Sequence, residues 1–328
     1  MTIRAVVCRE LGPPEKLVIE KRDAPELADG QVRIDVAACG VNFVDTLFVQ
    51  GLYQIRPEPP FVPGSEIAGV ISEVGSEVNG LSVSDRVMAM TPLGGFSEQV
   101  CVDARSVFPV PDHLELPRAA GVIQSYCTAL YALKWRAKLS QGETLLVLGA
   151  AGGVGLAAID VAKATGARII AAASSEEKRD QCMQAGADAV IDYTREDLKT
   201  RARELSDGGV DVVFDPVGGP HAEPALRALR WGGRFLVVGF AAGEIPRVPL
   251  NLVLLNTRNV LGVDWGAFTG RDREGNRRLL AELHDLLATQ RLKPVEPRCY
   301  PFEHVAEALR DLAERRVVGK AVLLPHSN

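Results

Sequence analysis

Between Leu145 and Ile159 the chain reads LLVLGAAGGVGLAAI, fifteen residues without one charged or hydrogen-bonding side chain. Such a run is a membrane span, buried core, or main chain left bare for a ligand. It falls short of the ~18 residues that a membrane helix needs, and glycine at 149, 152, 153 and 155 would weaken that helix. The surrounding pattern bears on the other two readings. From Thr144 onward, strand-like segments (Leu145–Gly149, Ala167–Ala173, Ala189–Asp192, Val210–Asp215, Arg234–Gly239 and Val260–Trp265) alternate with helix-like ones. Several of the latter close on a glycine suited to a left-handed cap: Gly166, Gly186, Gly208 and Gly232. The connection Pro249–Asn256 is shorter and carries the weakest helical signal. Six strands joined in this way describe an α/β fold with a parallel, doubly wound Rossmann sheet.

Within that sheet the run resolves into a strand, the turn Ala150–Gly153 and a helix through Ala164. Main chain without Cβ atoms can lie against a pyrophosphate, and the free N–H groups and dipole of a helix start stabilise its charge. Gly149, Gly152, Gly153 and Val154 are therefore the expected phosphate contacts, while Gly155 lets the helix approach the sheet. Tight packing alone is the competing explanation; the place between first strand and first helix favours a dinucleotide. Because ligands of such sheets lie where strand order reverses, the nicotinamide half is expected along DPVGG (Asp215–Gly219), including Val217, and beside Phe240 and Ala241. The tip of the second strand reads AAASSEEKR. Ser174 and Ser175 followed by Lys178 and Arg179 suit a 2′-phosphate, whereas Glu176 and Glu177 suit a bare ribose and either serine could serve only as an N-cap. NADPH is expected over NADH.

The first third has another period. Val32, Ile34, Val36 and Ala38 alternate with Gln31, Arg33 and Asp35, the pattern of a half-buried strand. Ile3–Cys8, Ile67–Val74, Arg86–Met90 and Glu98–Val102 are further strands, giving a mostly antiparallel β domain. Two helices, Arg271–Thr289 and Glu303–Glu314, and a strand, Ala321–Leu324, are expected to return to it. Residues 1–120 with 270–328 then form one domain and 121–269 the other. A net charge of −5 with no basic block argues against nucleic acid or anionic membrane as partner. MTIRAVVCRE lacks the features of a secretory signal, so a cytoplasmic chain is expected. Six cysteines without a CxxC pair suggest buried thiols, not disulfides or a zinc finger.

CGVNFVD (Cys39–Asp45), PGSEIAG (Pro63–Gly69), TALYAL (Thr128–Leu133), GAAGGVG and DPVGG, in this order and spacing, resemble the medium-chain dehydrogenase/reductases. More narrowly they are similar to the zeta-crystallin-like quinone oxidoreductases. The resemblance implies a GroES-like β domain before the Rossmann domain, a homodimer, and NADPH as hydride donor. It implies Asn42 and Tyr53 near the nicotinamide ribose and acceptor, Asp45 orienting groups in the cleft, and Thr128 by the nicotinamide. Ser174, Lys178 and Tyr193 would surround the 2′-phosphate. Aromatic packing is the alternative for both tyrosines. Cys127 and Gln124 depart from the family's smaller residues, and the five histidines are expected outside the cleft.

Zinc alcohol dehydrogenases of the same superfamily place a Cys in the first motif and a His-Glu pair in the second. The corresponding places here hold Asn42 and Ser65, with Glu66 retained. Asn and Ser are poor zinc ligands, so no metal is expected. Without a Lewis acid, hydride transfer to an activated acceptor such as a quinone or enone needs only hydrogen bonds and a proton. The expectation is a zinc-independent NADPH:quinone reductase acting on a small-molecule acceptor. An NADPH enoyl or enone reductase, including one acting on acyl-CoA thioesters, and a non-catalytic nucleotide-binding protein stand as alternatives.

Overall fold

The computed structural model describes residues 2–326. They fall into two units: the chain up to Ile123 with Glu296 onward, and Gln124–Val295.

In the first unit, the strand Gln31–Val41 buries Val32, Ile34, Val36 and Ala38 while Asp35 faces out, as the alternation requires. It pairs antiparallel with Glu66–Val74 on one edge. Its other edge is shared: residues 31–35 pair with Gln99–Asp103, and residues 39–41 with Ala321–Leu324. Arg86–Met90 and Val107–Pro109 extend the sheet on one side, Arg298–Pro301 on the other, and a hairpin-like pair Thr2–Val7 with Val18–Asp23 lies apart. The core joins Val32, Ile34, Ile67, Phe96, Phe302 and Leu309. The strands Val18–Asp23, Val107–Pro109 and Arg298–Pro301 add to those that the sequence suggests, and Phe43–Gln50 is a helix, capped at its end by Gly51. Its β-branched and aromatic residues read as strand formers; the N-terminal cap at Asn42 makes it a helix instead.

In the second unit, six parallel strands stand in the order Ala189–Asp192, Arg168–Ala173, Thr144–Val147, Val210–Asp215, Leu229–Val237, Asn259–Gly262. Chain order thus runs 3-2-1-4-5-6, and the switch point lies between the first and fourth strands. Gly166 and Gly186 cap their helices in the left-handed region as expected. Gly232 does not: it lies inside the long strand Leu229–Val237. Trp265 opens a helix, Trp265–Arg271, instead of closing the sixth strand.

The tail divides later than residue 270. Arg273–Ala288 is a helix of the second unit, with Leu279, Leu283 and Leu287 buried. Phe268 stacks on Tyr131, Trp265 donates to Asn276, and Lys134 pairs with Glu282, so this stretch packs beside the Rossmann sheet. Only from Glu296 does the chain rejoin the first unit. No helix among the described residues is long and apolar enough to cross a membrane.

Candidate active site and coenzyme cradle

The cradle is built where the first strand ends. Gly149 sits at φ +54, and a Cβ there would meet Val217 Cγ2 at 2.7 Å, so the loops after the first and fourth strands touch. At Gly155 a Cβ would lie 2.6 Å from the carbonyl oxygens of both Gly149 and Ala150, which forces glycine for helix–turn packing. Gly152 differs. It caps the helix Gly153–Thr165 at φ −79, open to any residue, and a Cβ would meet only Gly149 O at 3.4 Å. Nothing inside the protein demands glycine there, whereas a phosphate resting on the free N–H groups of Gly153 and Val154 would.

The facing loop is stitched from main chain. Asp215 Oδ1 accepts from the N–H groups of Val217 and Gly218 at 2.8 Å each, closing the turn. Ala241 N–H donates to Pro216 O at 3.1 Å, which brings Phe240 and Ala241 beside Val217. Phe240 is 39% exposed, an aromatic face left uncovered. Thr128 lies on the helix Ile123–Leu130, where its hydroxyl donates to Gln124 O, leaving its lone pairs as acceptors. Tyr126 on the same helix donates to Asp160 at 2.9 Å and so ties it to the cradle helix. Burial pushes the Asp160 carboxyl up.

At the second-strand tip, Ser175 is the N-cap, accepting from Lys178 N–H at 3.4 Å, which leaves Ser174 half-buried ahead of the helix. Arg179 pairs with Asp192 at 2.9 Å and is already engaged. Tyr193 packs its ring 4.6 Å from that of His221. His221, which the turn after DPVGG holds there, thus has a packing partner.

A polar cluster fills the first unit's interior. Glu66 is fully buried. It accepts from Lys320 Nζ at 2.9 Å and from Asn42 Nδ2 at 3.2 Å, and Lys320 also donates to Asn42 Oδ1. Asn42 is thus fixed in orientation from both ends of its amide. Gly40 makes room, since a Cβ there would lie 2.9 Å from Glu66 Oε2, and Gly121 makes room for the Lys320 stem, 2.6 Å from Cγ. Asp45 joins from the helix's first turn, its Oδ2 accepting from Asn42 N–H at 2.7 Å while Oδ1 is buried without a partner. Tyr53 lies on the loop after this helix, edge-on to Phe48. Lys320 was missed by sequence reasoning: it lies 278 residues from Asn42, next to a glycine, and reads as a surface lysine.

Burial raises the Asp45 pKa from 3.8 to about 7. Between those values the folded chain keeps a proton that the unfolded chain has lost. Stability therefore falls with rising pH across that window, by up to ~1.4 kcal/mol per pH unit from this group. Asp45→Asn is expected to flatten that share of the slope, read as a smaller difference between urea midpoints at pH 5 and pH 8 than in the parent.

The comparisons with known proteins agree with this architecture. Family models described as an alcohol dehydrogenase GroES-like domain and a zinc-binding dehydrogenase match residues 28–112 and 153–284. The quinone oxidoreductase-like protein 2 homolog of Nematostella vectensis is 40% identical over 98% of this chain and 88% of its own. Among solved structures, Escherichia coli quinone oxidoreductase complexed with NADPH matches with TM-score 0.89 and 30% identity, covering 98% of this chain and all of its own. The CurK enoyl reductase matches with TM-score 0.89 and 27% identity, covering 98% of this chain and 99% of its own. The chain belongs to the medium-chain dehydrogenase/reductases, and is an oxidoreductase of that family. Within it, the chain falls with the quinone oxidoreductase-like proteins.

Zinc, which one family description carries, does not fit these residues. Glu66 already accepts from an ammonium and an amide, and Lys320 would repel a second cation. Asn42 and Ser65 offer neutral oxygens, which are poor ligands for zinc.

Proposed function

We propose that this protein is a zinc-independent NADPH:quinone oxidoreductase. The observation that carries the reading is the Lys320–Glu66–Asn42 cluster, which puts a hydrogen-bonded ammonium where metal-dependent relatives would need ligands. NADPH, once bound, supplies hydride. Gly149, Gly152, Gly153 and Val154 would hold its pyrophosphate, and Ser174, Lys178 and Tyr193 its 2′-phosphate. Val217, Phe240, Ala241 and Thr128 would flank the nicotinamide. Asn42 and Tyr53 would hydrogen-bond the acceptor or ribose, with Asp45, poised near neutrality, as a reservoir for the proton that follows hydride. The acceptor's oxygen takes up charge as hydride reaches carbon, and polar donors at that oxygen lower the barrier.

The likeness to the CurK enoyl reductase favours a second reading, reduction of an enone or acyl-CoA thioester by the same geometry. Purified protein dialysed against a chelator, then mixed with NADPH and either a benzoquinone or crotonyl-CoA, separates the two by loss of nicotinamide absorbance. Quinone turnover undiminished by chelation is expected. Turnover of crotonyl-CoA alone would transfer the assignment, and coenzyme binding without turnover of either would leave a nucleotide-binding protein.

A homodimer is part of the same reading. The sixth strand, Asn259–Gly262, is an edge strand whose Val260 is 48% exposed, with Leu250 and Leu254 exposed just before it. Pairing with a second copy would satisfy that edge.

A further inference from the structure

The starts of the strands Leu229–Val237 and Asn259–Gly262 lie at the opposite end of the parallel sheet from the glycine cradle. There, with the helices Leu198–Leu205 and Ala222–Ala228, they border a cavity of about 380 Å³. Lys199, Arg203, Arg227 and Arg258 line it together with Leu252, Leu255 and Asn256. Arg258 is only 8% exposed. Its Nη1 donates to Leu252 O at 2.8 Å and Nη2 to Leu229 O at 3.2 Å, but its buried Nε has no acceptor. Arg227 pairs with Glu223 at 2.8 Å. Among the described residues, no carboxylate comes within ion-pair distance of Lys199, Arg203 or Arg258. Burial first, then the facing charges of Arg203 and Arg227, press against the charged form of Arg258.

Like charges around one void, three of them without an acid in ion-pair distance, repel each other at short range, and a bound anion would reverse that term. Guanidinium groups match the oxygens of a phosphate, and the two leucines offer apolar surface to a carbon skeleton. We propose that this cavity binds a small organic phosphate, with the phosphate held by Arg203, Arg258 and Lys199 and the carbon portion against Leu252 and Leu255. The site is separate from the coenzyme cradle and does not depend on the assigned reaction.

Calorimetric titration in a phosphate-free buffer tests it, with inorganic phosphate and ribose 5-phosphate as probes. The proteins are the parent, Arg203→Gln, the double variant Lys199→Ala/Arg203→Gln, and Gly152→Val, which obstructs the cradle instead. Saturable binding at millimolar or lower concentration is expected. Ribose 5-phosphate should bind tighter than inorganic phosphate, weaken about tenfold in each cavity variant, and keep its affinity in Gly152→Val. Equal affinity for both probes would remove the organic part of the proposal. Absence of saturable binding to the parent, or loss of binding only in Gly152→Val, would overturn the proposal. So would dissociation of an oligomer by the double variant with ribose 5-phosphate affinity unchanged, which would mean that the cations serve a second copy's carboxylates.

Discussion

Replacing Lys320 with methionine is expected to destabilise the protein by about 3–5 kcal/mol, the range for breaking a buried ion pair from one side. Methionine matches the stem that fits over Gly121, so the loss is electrostatic and not a cavity. Glu66, fully buried, would lose its ammonium partner, and Asn42 would lose the donor that holds its carbonyl. A freed amide no longer presents fixed geometry, and turnover with NADPH and a quinone should fall about a hundredfold. Lys320→Met combined with Glu66→Gln should regain most of the stability, because a neutral amide carries a smaller burial cost. Urea denaturation and steady-state rates on the three proteins check this. Recovery of stability without recovery of rate would identify Lys320 as a positioning residue. An unchanged rate in the single variant would remove the cluster from the mechanism.

The second large effect concerns two glycines three residues apart, whose substitutions should fail differently. Gly152→Val adds a side chain where the protein itself has space, so the fold should survive while NADPH affinity falls by about two orders of magnitude, close to 3 kcal/mol. Gly155→Ala adds one methyl against two carbonyl oxygens at 2.6 Å and should cost about 1–3 kcal/mol of stability. Thermal melts with and without NADPH separate the two: the first variant should melt like the parent but gain little from coenzyme, whereas the second should melt lower in both conditions. If Gly152→Val binds NADPH as tightly as the parent, the cradle has been misassigned.

Local periodicity carried much of the fold. The alternation over Gln31–Ala38 and the glycine turn after Leu148 each expressed a rule that neighbouring residues satisfy among themselves, and the strands Val210–Asp215 and Ala321–Leu324 appear with the bounds that the sequence suggests. Helix Phe43–Gln50 was hidden because its side chains favour strands and its helical start depends on Asn42 and Asp45. The helix Arg273–Ala288 shows a clear apolar stripe, but a stripe does not say which sheet it covers. The candidate site divides in the same way. Asn42, Asp45 and the cradle glycines lie in local motifs, whereas Lys320 and His221 acquire meaning only from partners supplied by topology.

The shared edge of the strand Gln31–Val41 bears on the order in which the chain can mature. Its residues 39–41 pair with Ala321–Leu324, a segment made only after the whole of residues 124–295. Residues 124–295 are contiguous and can complete their own sheet during synthesis, while the amino-terminal third must wait for a strand that follows them. That strand's leading neighbour is Lys320, so the partner of Glu66 arrives only after the contiguous unit has been made. A nascent chain would complete the parallel sheet first and the Lys320–Glu66–Asn42 cluster afterwards.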